Sequence, residues 1–150
     1  MIRTIQSSDI ALIAKFEREI SLISFGDDAI TDLSFHEEKI KKAMDKEREG
    51  MMVLELERNI SGWLWMAKKM NYLSKAVYVN FKSFYILDNY RGSEHVNALM
   101  NEGISFCERI GAESISSKVH VDNLPMRILY KQFGFAPTHL SMELNLKGKD

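Results

Sequence analysis

The stretch Tyr85-Ile86-Leu87-Asp88-Asn89-Tyr90-Arg91-Gly92-Ser93 decides how this sequence is interpreted. It closes a long aromatic and β-branched run, residues 77–87, which is the best strand signal in the chain. A short turn follows, and Ser93 can begin a helix whose apolar positions continue to Ile110. Where a strand is followed by a turn and then by a helix, backbone N–H groups are left unpaired at the helix N-terminus, and phosphate oxygens bind well there. Every such junction has some of this geometry, so a capped helix without a ligand is the alternative interpretation.

Upstream of this stretch the sequence predicts a strand, two helices and a hairpin. Ser34 and Glu37 form a capping-box pattern, in which each side chain bonds the backbone amide of the other residue. Arg58-Asn59 supplies the tight connection of the hairpin, although its turn chemistry is weaker than that of Asn-Gly. The predicted segments are a strand at 2–5, a helix capped by Ser7 or Ser8 with Asp9 in its first turn, a loop at 25–32, a helix from 34 to about 49, and hairpin strands at 52–57 and 60–66.

Downstream of it the sequence predicts a third helix, a strand, a short fourth helix and a last strand. The boundaries come from glycine after a helix and from Asp, Asn or Pro at a helix start. The order β-α-α-β-β-β-α-β-α-β predicts one mixed α/β domain over residues 1–150. The boundaries are Gly111 after the third helix, a strand at 113–121, Asp122 or Asn123 as a cap with Pro125 in the first turn, Gly134 at the end of the fourth helix, and a strand at 141–146.

The composition excludes several classes of protein. With 20 basic and 21 acidic residues the net charge is −1, which argues against a general nucleic-acid binder. A single cysteine, Cys107, allows no internal disulfide and no cysteine-cluster zinc site, and the four histidines lack paired metal-ligand spacing. The most apolar N-terminal run, Ile10 to Ala14, is too short for a secretory signal or a membrane span. We therefore expect a soluble cytoplasmic protein without a metal.

Two blocks of the sequence resemble the GNAT superfamily, the acyl-CoA-dependent N-acetyltransferases. The diphosphate loop of that family reads Arg/Gln-x-x-Gly-x-Gly/Ala between a strand and a helix, where this chain has residues 91–96. The next family block has Asn, a Tyr seven residues later and then Gly-Phe, where this chain has Asn123, Tyr130 and Gly134-Phe135. The resemblance covers essentially the whole chain. It implies an α/β (α+β) fold with a mostly antiparallel mixed sheet, splayed central strands and four flanking helices.

The same resemblance implies acetyl-CoA as cosubstrate and a small-molecule or peptide amine as acceptor, while the charge balance and the short apolar runs predict no nucleic-acid or membrane partner. It implies direct transfer in a ternary complex by a protein that is a monomer or a homodimer. The acceptor pocket is expected between the first two helices and the hairpin that carries Trp63. The roles it implies are backbone pairing with the pantetheine arm by Tyr85, Ile86 and Leu87, a diphosphate cradle of Arg91, Gly92, Ser93, Glu94, His95 and Val96, a pantetheine contact from Asn123, and proton donation to the leaving thiolate by Tyr130.

Two positions depart from the family pattern. Glu94 stands in place of the first loop glycine, and Val96 in place of a glycine or alanine. A Glu94 carboxylate about 5 Å from the diphosphate would cost on the order of 3 kcal/mol at an effective dielectric near 20. Turned outward, the same group is a favourable acid in the first turn of a helix. The main alternative to a transferase is therefore a non-catalytic acyl-CoA-binding or interaction module on the same fold, and an unrelated mixed α/β domain would lack the splayed strands.

The sequence does not decide the general base or the roles of three prominent side chains. The strand at 77–87 contains no Asp or Glu, so the candidates are acidic or imidazole groups elsewhere and a water relay. Trp63 and Trp65 lie two apart on one strand face and are expected in the core or the acceptor pocket, and Cys107 is expected to be a small buried hydrophobe. The candidate bases are Glu55, Glu57, His120 and Asp122.

Overall fold

The computed structural model describes residues 1–148, which contain four α-helices and five β-strands. The chain divides into two compact units, Met1–Lys118 with the sheet and the first three helices, and a second from Val119 onward with the fourth helix. The elements are β1 Ile2–Thr4, α1 Ile10–Phe25, α2 Leu33–Glu47, β2 Met51–Leu56, β3 Asn59–Met70, β4 Val77–Ile86, α3 Glu94–Arg109, β5 Ser114–Ser117 and α4 Leu124–Gln132.

The sheet has the order β1-β2-β3-β4-β5, and it confirms the predicted mixed, mostly antiparallel architecture. The first three strand pairs are antiparallel, and β4 and β5 pair in parallel. That parallel pairing runs from Tyr78–Ser114 to Phe81–Ser117 and stops there. β4 continues to Ile86, and over this second half it pairs with β3 alone among the described residues. The resemblance predicts that the fourth and fifth strands splay apart. In the structure their pairing stops because β5 ends at Ser117, and β4 continues without it.

Each face of the sheet is covered by its own helices. Trp63 and Trp65 of β3 are completely buried in the apolar cluster that α1 and α2 form with the sheet. Leu64 lies between them in sequence and points to the opposite face, because strand side chains alternate. There α3 approaches the sheet closely, since a Cβ atom added to Gly103 would lie 2.5 Å from Cδ2 of Leu64 and 3.3 Å from Cζ of Phe81. The two faces thus have separate apolar cores.

Two predicted helix caps were wrong by a few residues. Helix α2 begins after Asp32, whose Oδ1 accepts a hydrogen bond from the Ser34 N–H at 2.9 Å, so Ser34 lies inside the first turn and is not its cap. The turn before α1 begins at Gln6, whose N–H donates to the Asp9 carboxylate at 2.8 Å, and not at either serine that follows. In both places an acidic side chain outcompetes a serine hydroxyl, because hydrogen bonds to a charged acceptor are stronger.

The hairpin turn is also displaced from its predicted position. Glu57 and Arg58 have φ values of 51° and 67°, so they form the two central positions of the turn. Asn59 already belongs to β3, where it pairs with Leu56. Paired positive φ values match the right-handed twist of the flanking strands, and the turn adopts them without Asn-Gly.

Two predicted strands are shorter than expected or missing. β5 ends at Ser117 and does not extend to residue 121. Residues 141–146 have no regular secondary structure, although their apolar residues alternate as in a strand and Met142, Leu144 and Leu146 are exposed. Alternation specifies which face a strand would bury, but a strand exists only where a neighbour pairs with it.

Candidate functional site

The second half of β4 presents part of its backbone to an unpaired edge. The N–H of Leu87 donates to the carbonyl of Ser61 at 2.9 Å, so Leu87 faces β3. Because backbone groups alternate along an antiparallel ladder, Tyr85 also faces β3, whereas Phe84 and Ile86 face the opposite edge. Of the three strand residues predicted to pair with a pantetheine arm, Ile86 therefore directs its backbone groups to the unpaired edge, and the other two do not. Phe84 also faces that edge, and the sequence analysis did not predict it.

Arg91 fixes the loop after β4 to the end of the strand. Its Nε donates to the carbonyl of Ile86 at 2.7 Å, which confirms that this carbonyl points away from β3. Its guanidinium also pairs with the carboxylate of Asp88 and lies 5.2 Å from the ring centroid of Tyr85. The resemblance assigns the diphosphate cradle to the backbone of residues 91–96, and the Arg91 side chain instead bonds the scaffold of the loop.

The turn into α3 follows the sequence prediction. Ser93 is the N-cap, and its Oγ accepts from the N–H of His95 at 3.3 Å while its hydroxyl donates to the carbonyl of Tyr90. Gly92 has a φ of +75°, and a Cβ added there would meet no atom within 4 Å. The glycine is therefore needed for its backbone conformation and not for space. The loop ends as a capped helix N-terminus, with His95 packed edge-on against Tyr90 at 5.6 Å between ring centroids.

The two residues that depart from the family pattern point in different directions. The Glu94 side chain is exposed in the first turn of α3, where its charge is favourable to the helix dipole. Val96 is buried, with 9% of its surface exposed, and its N–H donates to the Ser93 carbonyl at 3.2 Å. Val96 is thus a core residue of α3, and its bulk is directed into the protein.

A buried acid lies on the α1 side of the sheet. Glu17 is 7% exposed, and its Oε2 accepts from the Nε1–H of Trp63 at 2.9 Å. The neighbouring Phe16 stacks on Tyr85 with ring centroids 4.7 Å apart, and burial raises the pKa of the Tyr85 phenol although the nearby Arg91 charge opposes it. The sequence analysis missed Glu17. Its signal was a charged residue inside the apolar stripe of α1, where a surface helix normally has none.

In the second unit, the Asn-Tyr-Gly-Phe block folds as one local structure. Oδ1 of Asn123 accepts from the Met126 N–H at 3.4 Å and caps α4. Tyr130 is buried at the end of α4, and its ring lies 4.7 Å from that of Phe135. The Phe135 N–H donates to the Tyr130 carbonyl at 3.0 Å, across a turn in which Gly134 has a φ of +89°. The spacing of these residues is therefore that of a capped helix with a glycine end.

A model of the acetyltransferase (GNAT) family matches residues 15–135. The chain belongs to the GNAT family. Its matched segment includes most of α1, the hairpin, the open half of β4, the loop into α3 and the Asn123–Phe135 block. Among curated protein sequences there is no significant match.

Solved structures share this GNAT fold at low sequence identity. A possible acetyltransferase from Clostridium difficile 630 is 18% identical, with a TM-score of 0.79 over 97% of this chain and 95% of that chain. A putative acetyl transferase from Pyrococcus furiosus is 21% identical, with a TM-score of 0.72 over 97% and 100%. A transcriptional regulator from Bacillus halodurans C-125 is 13% identical, with a TM-score of 0.76 over 97% and 99%. Family and fold together support acyl transfer in general.

The candidate bases from the sequence have different surroundings in this GNAT chain. Glu55 accepts from the Nε of Arg3 at 3.1 Å next to the outer strand β1, and Glu57 is exposed in the hairpin turn. In the second unit, Nδ1 of His120 accepts from the Asp122 N–H at 3.1 Å, and both side chains are exposed. Glu17 joins these four as a candidate, and it differs from them by its burial.

Other predicted features behave as ordinary parts of the GNAT scaffold. Cys107 is buried in α3, and burial raises the pKa of its thiol to about 11. Within residues 1–148, no group of three or more His, Cys, Asp and Glu side chains is arranged to hold a metal ion. None of the helices in the same range is both long and apolar enough to span a membrane.

Proposed function

We propose that this protein transfers an acetyl group from acetyl-CoA to a primary amine by direct attack in a ternary complex. The observation that carries the proposal is the end of β4–β5 pairing at Phe81–Ser117, with the unpaired remainder of β4 leading through a short loop to the capped N-terminus of α3. An open strand edge suits an extended chain of amides, and a helix N-terminus suits a diphosphate. The pantetheine diphosphate of CoA contains both groups in that order.

The backbone of β4 and the loop supply the binding groups in this proposal. Phe84 and Ile86 pair with the pantetheine arm as an added strand would, and the Ile86 N–H polarises the thioester carbonyl and stabilises the oxyanion that forms on attack. The diphosphate is assigned to the N–H groups of Gly92 and Glu94, which are outside the hydrogen bonds described for this loop. The exposed Glu94 carboxylate is screened by water, so its repulsion is small.

Tyr130 and Asn123 complete the proposed mechanism. Tyr130 donates a proton to the departing thiolate, a transfer that is uphill by only about 2 kcal/mol from the reference pKa values of about 10 and 8.5. Asn123 contacts the pantetheine arm through its amide nitrogen, because its Oδ1 caps α4. We further propose a cytoplasmic location, since the chain has a single, buried cysteine and no disulfide to form.

Calorimetry with acetyl-CoA tests the binding step, and a matched glycine pair shows where it occurs. Gly92 and Gly111 both have a φ of +75° and open space where a Cβ would be added, at opposite ends of α3. Gly92→Ala and Gly111→Ala therefore introduce similar backbone strain, of about 1–2 kcal/mol. We expect Gly92→Ala to weaken acetyl-CoA binding about 10-fold and Gly111→Ala to leave it unchanged. Equal effects of the two variants would contradict a diphosphate site at this loop.

The second candidate function is a non-catalytic acyl-CoA-binding module. It is favoured by Glu94 in place of a family glycine, and by the shared fold of the Bacillus halodurans protein described as a transcriptional regulator. CoA release with a panel of primary amines separates the two candidates. Turnover with at least one amine supports the transferase, binding without turnover supports the module, and absence of binding contradicts both.

A further inference from the structure

A cavity of about 250 Å³ lies between α2 and β4, and we call it the lysine cavity. Among the described residues, the charged side chains of its lining are four lysines and one glutamate, Glu47. The cavity therefore carries a net charge of about +3, in a chain whose net charge is −1. The residues that line it are Lys39, Lys42, Ala43, Lys46, Glu47, Trp65 and Lys82.

A β-bulge turns Lys82 toward this cavity. The β3–β4 register passes from Trp65–Ser83 to Met66–Phe81, so Lys82 is an extra residue on β4. Its Nζ lies 4.1 Å from the Trp65 ring centroid and 3.5 Å from Oε1 of Glu47 on α2. Without the bulge, alternation would place Lys82 on the face away from Trp65. The bulge therefore adds a cation to the α2 side at the first residue of the open half of β4.

The other three lysines come from one side of α2. Positions 39, 42 and 46 are spaced by three and four residues, so they form a single row along the helix. Lys39 Nζ lies 5.5 Å from the Trp65 ring centroid. Glu47 is already engaged, because its Oε1 accepts from the Trp65 Nε1–H at 3.1 Å and pairs with Lys82. The remaining ammonium groups are exposed and have no carboxylate in the cavity left to neutralise them.

The lysine cavity shares its face of the sheet with Tyr85. Trp65 at the cavity lies 5.9 Å, between ring centroids, from Trp63, and Trp63 pairs in register with Tyr85. Along β4, Lys82 and Ile86 are four residues apart, which is about 13 Å of extended chain. A molecule of ordinary metabolite size spans that distance, with one end at the cavity and the other beside the Ile86 amide.

We propose that the lysine cavity binds an anionic group of the acceptor, so that the acceptor is an amine that also carries a carboxylate or a phosphate. This inference rests on the proposed acetyl transfer. Each exposed ammonium group contributes little alone because water and salt screen it, but several of them around one anion add. The indole of Trp65 holds Lys82 in place, so less side-chain freedom is lost when the anion binds.

The cavity is tested first without acetyl-CoA, by titrating the protein with glutarate and, separately, with inorganic phosphate. The readout is the NMR resonance of the Trp65 indole N–H, and the Trp63 indole N–H is the internal control. We expect the Trp65 resonance to shift with at least one of the two anions. The anion that causes the shift shows whether the cavity prefers a carboxylate or a phosphate. If Trp65 shifts with neither anion, or only together with Trp63, the proposal is overturned.

Charge-matched variants test whether the anion binds at the lysine cavity. Lys39→Gln combined with Lys42→Gln removes two charges from the cavity, and Lys68→Gln combined with Lys69→Gln removes two exposed charges from β3. We expect anion affinity to fall about 5- to 10-fold in the first pair and to stay unchanged in the second. A similar loss in both pairs would reflect overall charge and would overturn the site.

Acceptor kinetics test the substrate class. Each ω-amino acid in a series of chain lengths is compared with its neutral amide at saturating acetyl-CoA, and we expect a KM at least 5-fold lower for the acid at the best length. The cavity pair should lose this preference and the Lys68, Lys69 pair should keep it. Transfer to acid and amide with equal KM overturns the inference and leaves the proposed function standing. Absence of transfer to any amine overturns the acceptor assignment together with the proposed function, while the titration separately decides whether the cavity binds anions.

Discussion

The two halves of β4 differ in one respect, the number of strands beside them. Residues 77–81 pair with β3 on one side and β5 on the other, and Val79 and Phe81 are buried there. Residues 83–86 pair with β3 alone among the described strands. Ser83 and Ile86 are buried in this half as well, whereas Lys82 and Tyr85 are half-buried. The same strand is therefore an interior strand of the sheet in one half and an open edge in the other, with buried side chains in both.

The comparison shows that the candidate site lies where β4 has a neighbouring strand on one side and none among the described strands on the other. Backbone N–H and C=O groups need hydrogen bonds, and an exposed strand edge is a template for another extended chain. One group of the open half, the Ile86 carbonyl, is already bonded to Arg91, which leaves the edge partly closed by the chain itself. The paired half should thus govern stability, and the open half should govern ligand binding.

The largest expected effect tests whether binding at the open half leads to chemistry. Tyr130→Phe should lower turnover by about 10²-fold, because a general acid contributes on that scale, and should leave acetyl-CoA affinity unchanged. Steady-state kinetics and calorimetry measure the two quantities. Unchanged turnover would remove Tyr130 from the mechanism, and a parallel loss of affinity would indicate that its hydroxyl supports binding.

The packing of α3 on the sheet can be perturbed at Gly103, which faces Phe81 of the paired half and Leu64, the β3 partner of Phe84. Gly103→Val places side-chain atoms against Leu64 and Phe81 and should lower the free energy of unfolding by about 2 kcal/mol through overpacking. Acetyl-CoA affinity at a temperature where the variant is folded should stay as in the parent. Ala98→Val, at an exposed position of the same helix, is the control and should cost about 0.5 kcal/mol. A large loss of affinity in Gly103→Val would break the division between the halves.

Amide hydrogen exchange compares the two edges of the open half directly. The N–H groups of Phe84 and Ile86 should exchange about 10-fold faster than those of Tyr85 and Leu87, since only the latter pair faces β3. Added acetyl-CoA should slow the first pair and leave the second as it was. Equal protection of all four amides in the free protein would mean that another segment already covers the edge.

The smallest effect concerns Glu94 at the end of the open half. Because its side chain is exposed, Glu94→Gln should tighten acetyl-CoA binding by less than about 3-fold. Lys118→Gln, a single charge change on the same unit, controls for overall electrostatics. A gain approaching a hundredfold would show that the carboxylate faces the diphosphate and that the structure of the complex differs from that of the free protein.

Local features of this fold were predictable from the sequence. The N-cap at Ser93, the glycine end of α3 near Gly111 and the cap at Asn123 are all confirmed. Each depends on a few consecutive residues whose capping or turn chemistry is read directly from their types. The errors, at Asp32 and in the hairpin turn, are shifts of one or two residues. At the first an acidic side chain outcompetes a nearby serine, and at the second the backbone of Glu57 and Arg58 adopts the turn conformation.

The missing strand at 141–146 and the missed Glu17 had a different cause. The alternation of apolar residues at 141–146 is real, but no pattern within a segment states whether a partner strand pairs with it. The role of Glu17 depends on the indole of Trp63, which lies 46 residues away in the sequence. Neither the missing partner strand nor the contact between Glu17 and Trp63 can be predicted from a short stretch of sequence.

The sequence by itself determined where the third and fourth helices begin and end, the strong strand signal at residues 77–87, and the GNAT block spacing from Asn123 to Phe135. These properties follow from interactions between residues close together in the chain. Only the tertiary structure decided that the pairing of β4 with β5 ends at Phe81, that a bulge turns Lys82 toward α2, and that four lysines from two elements line one cavity. The physical reason is that strand register and cavity lining are set by contacts between segments far apart in sequence, and a local pattern carries no information about which distant segment will be the neighbour.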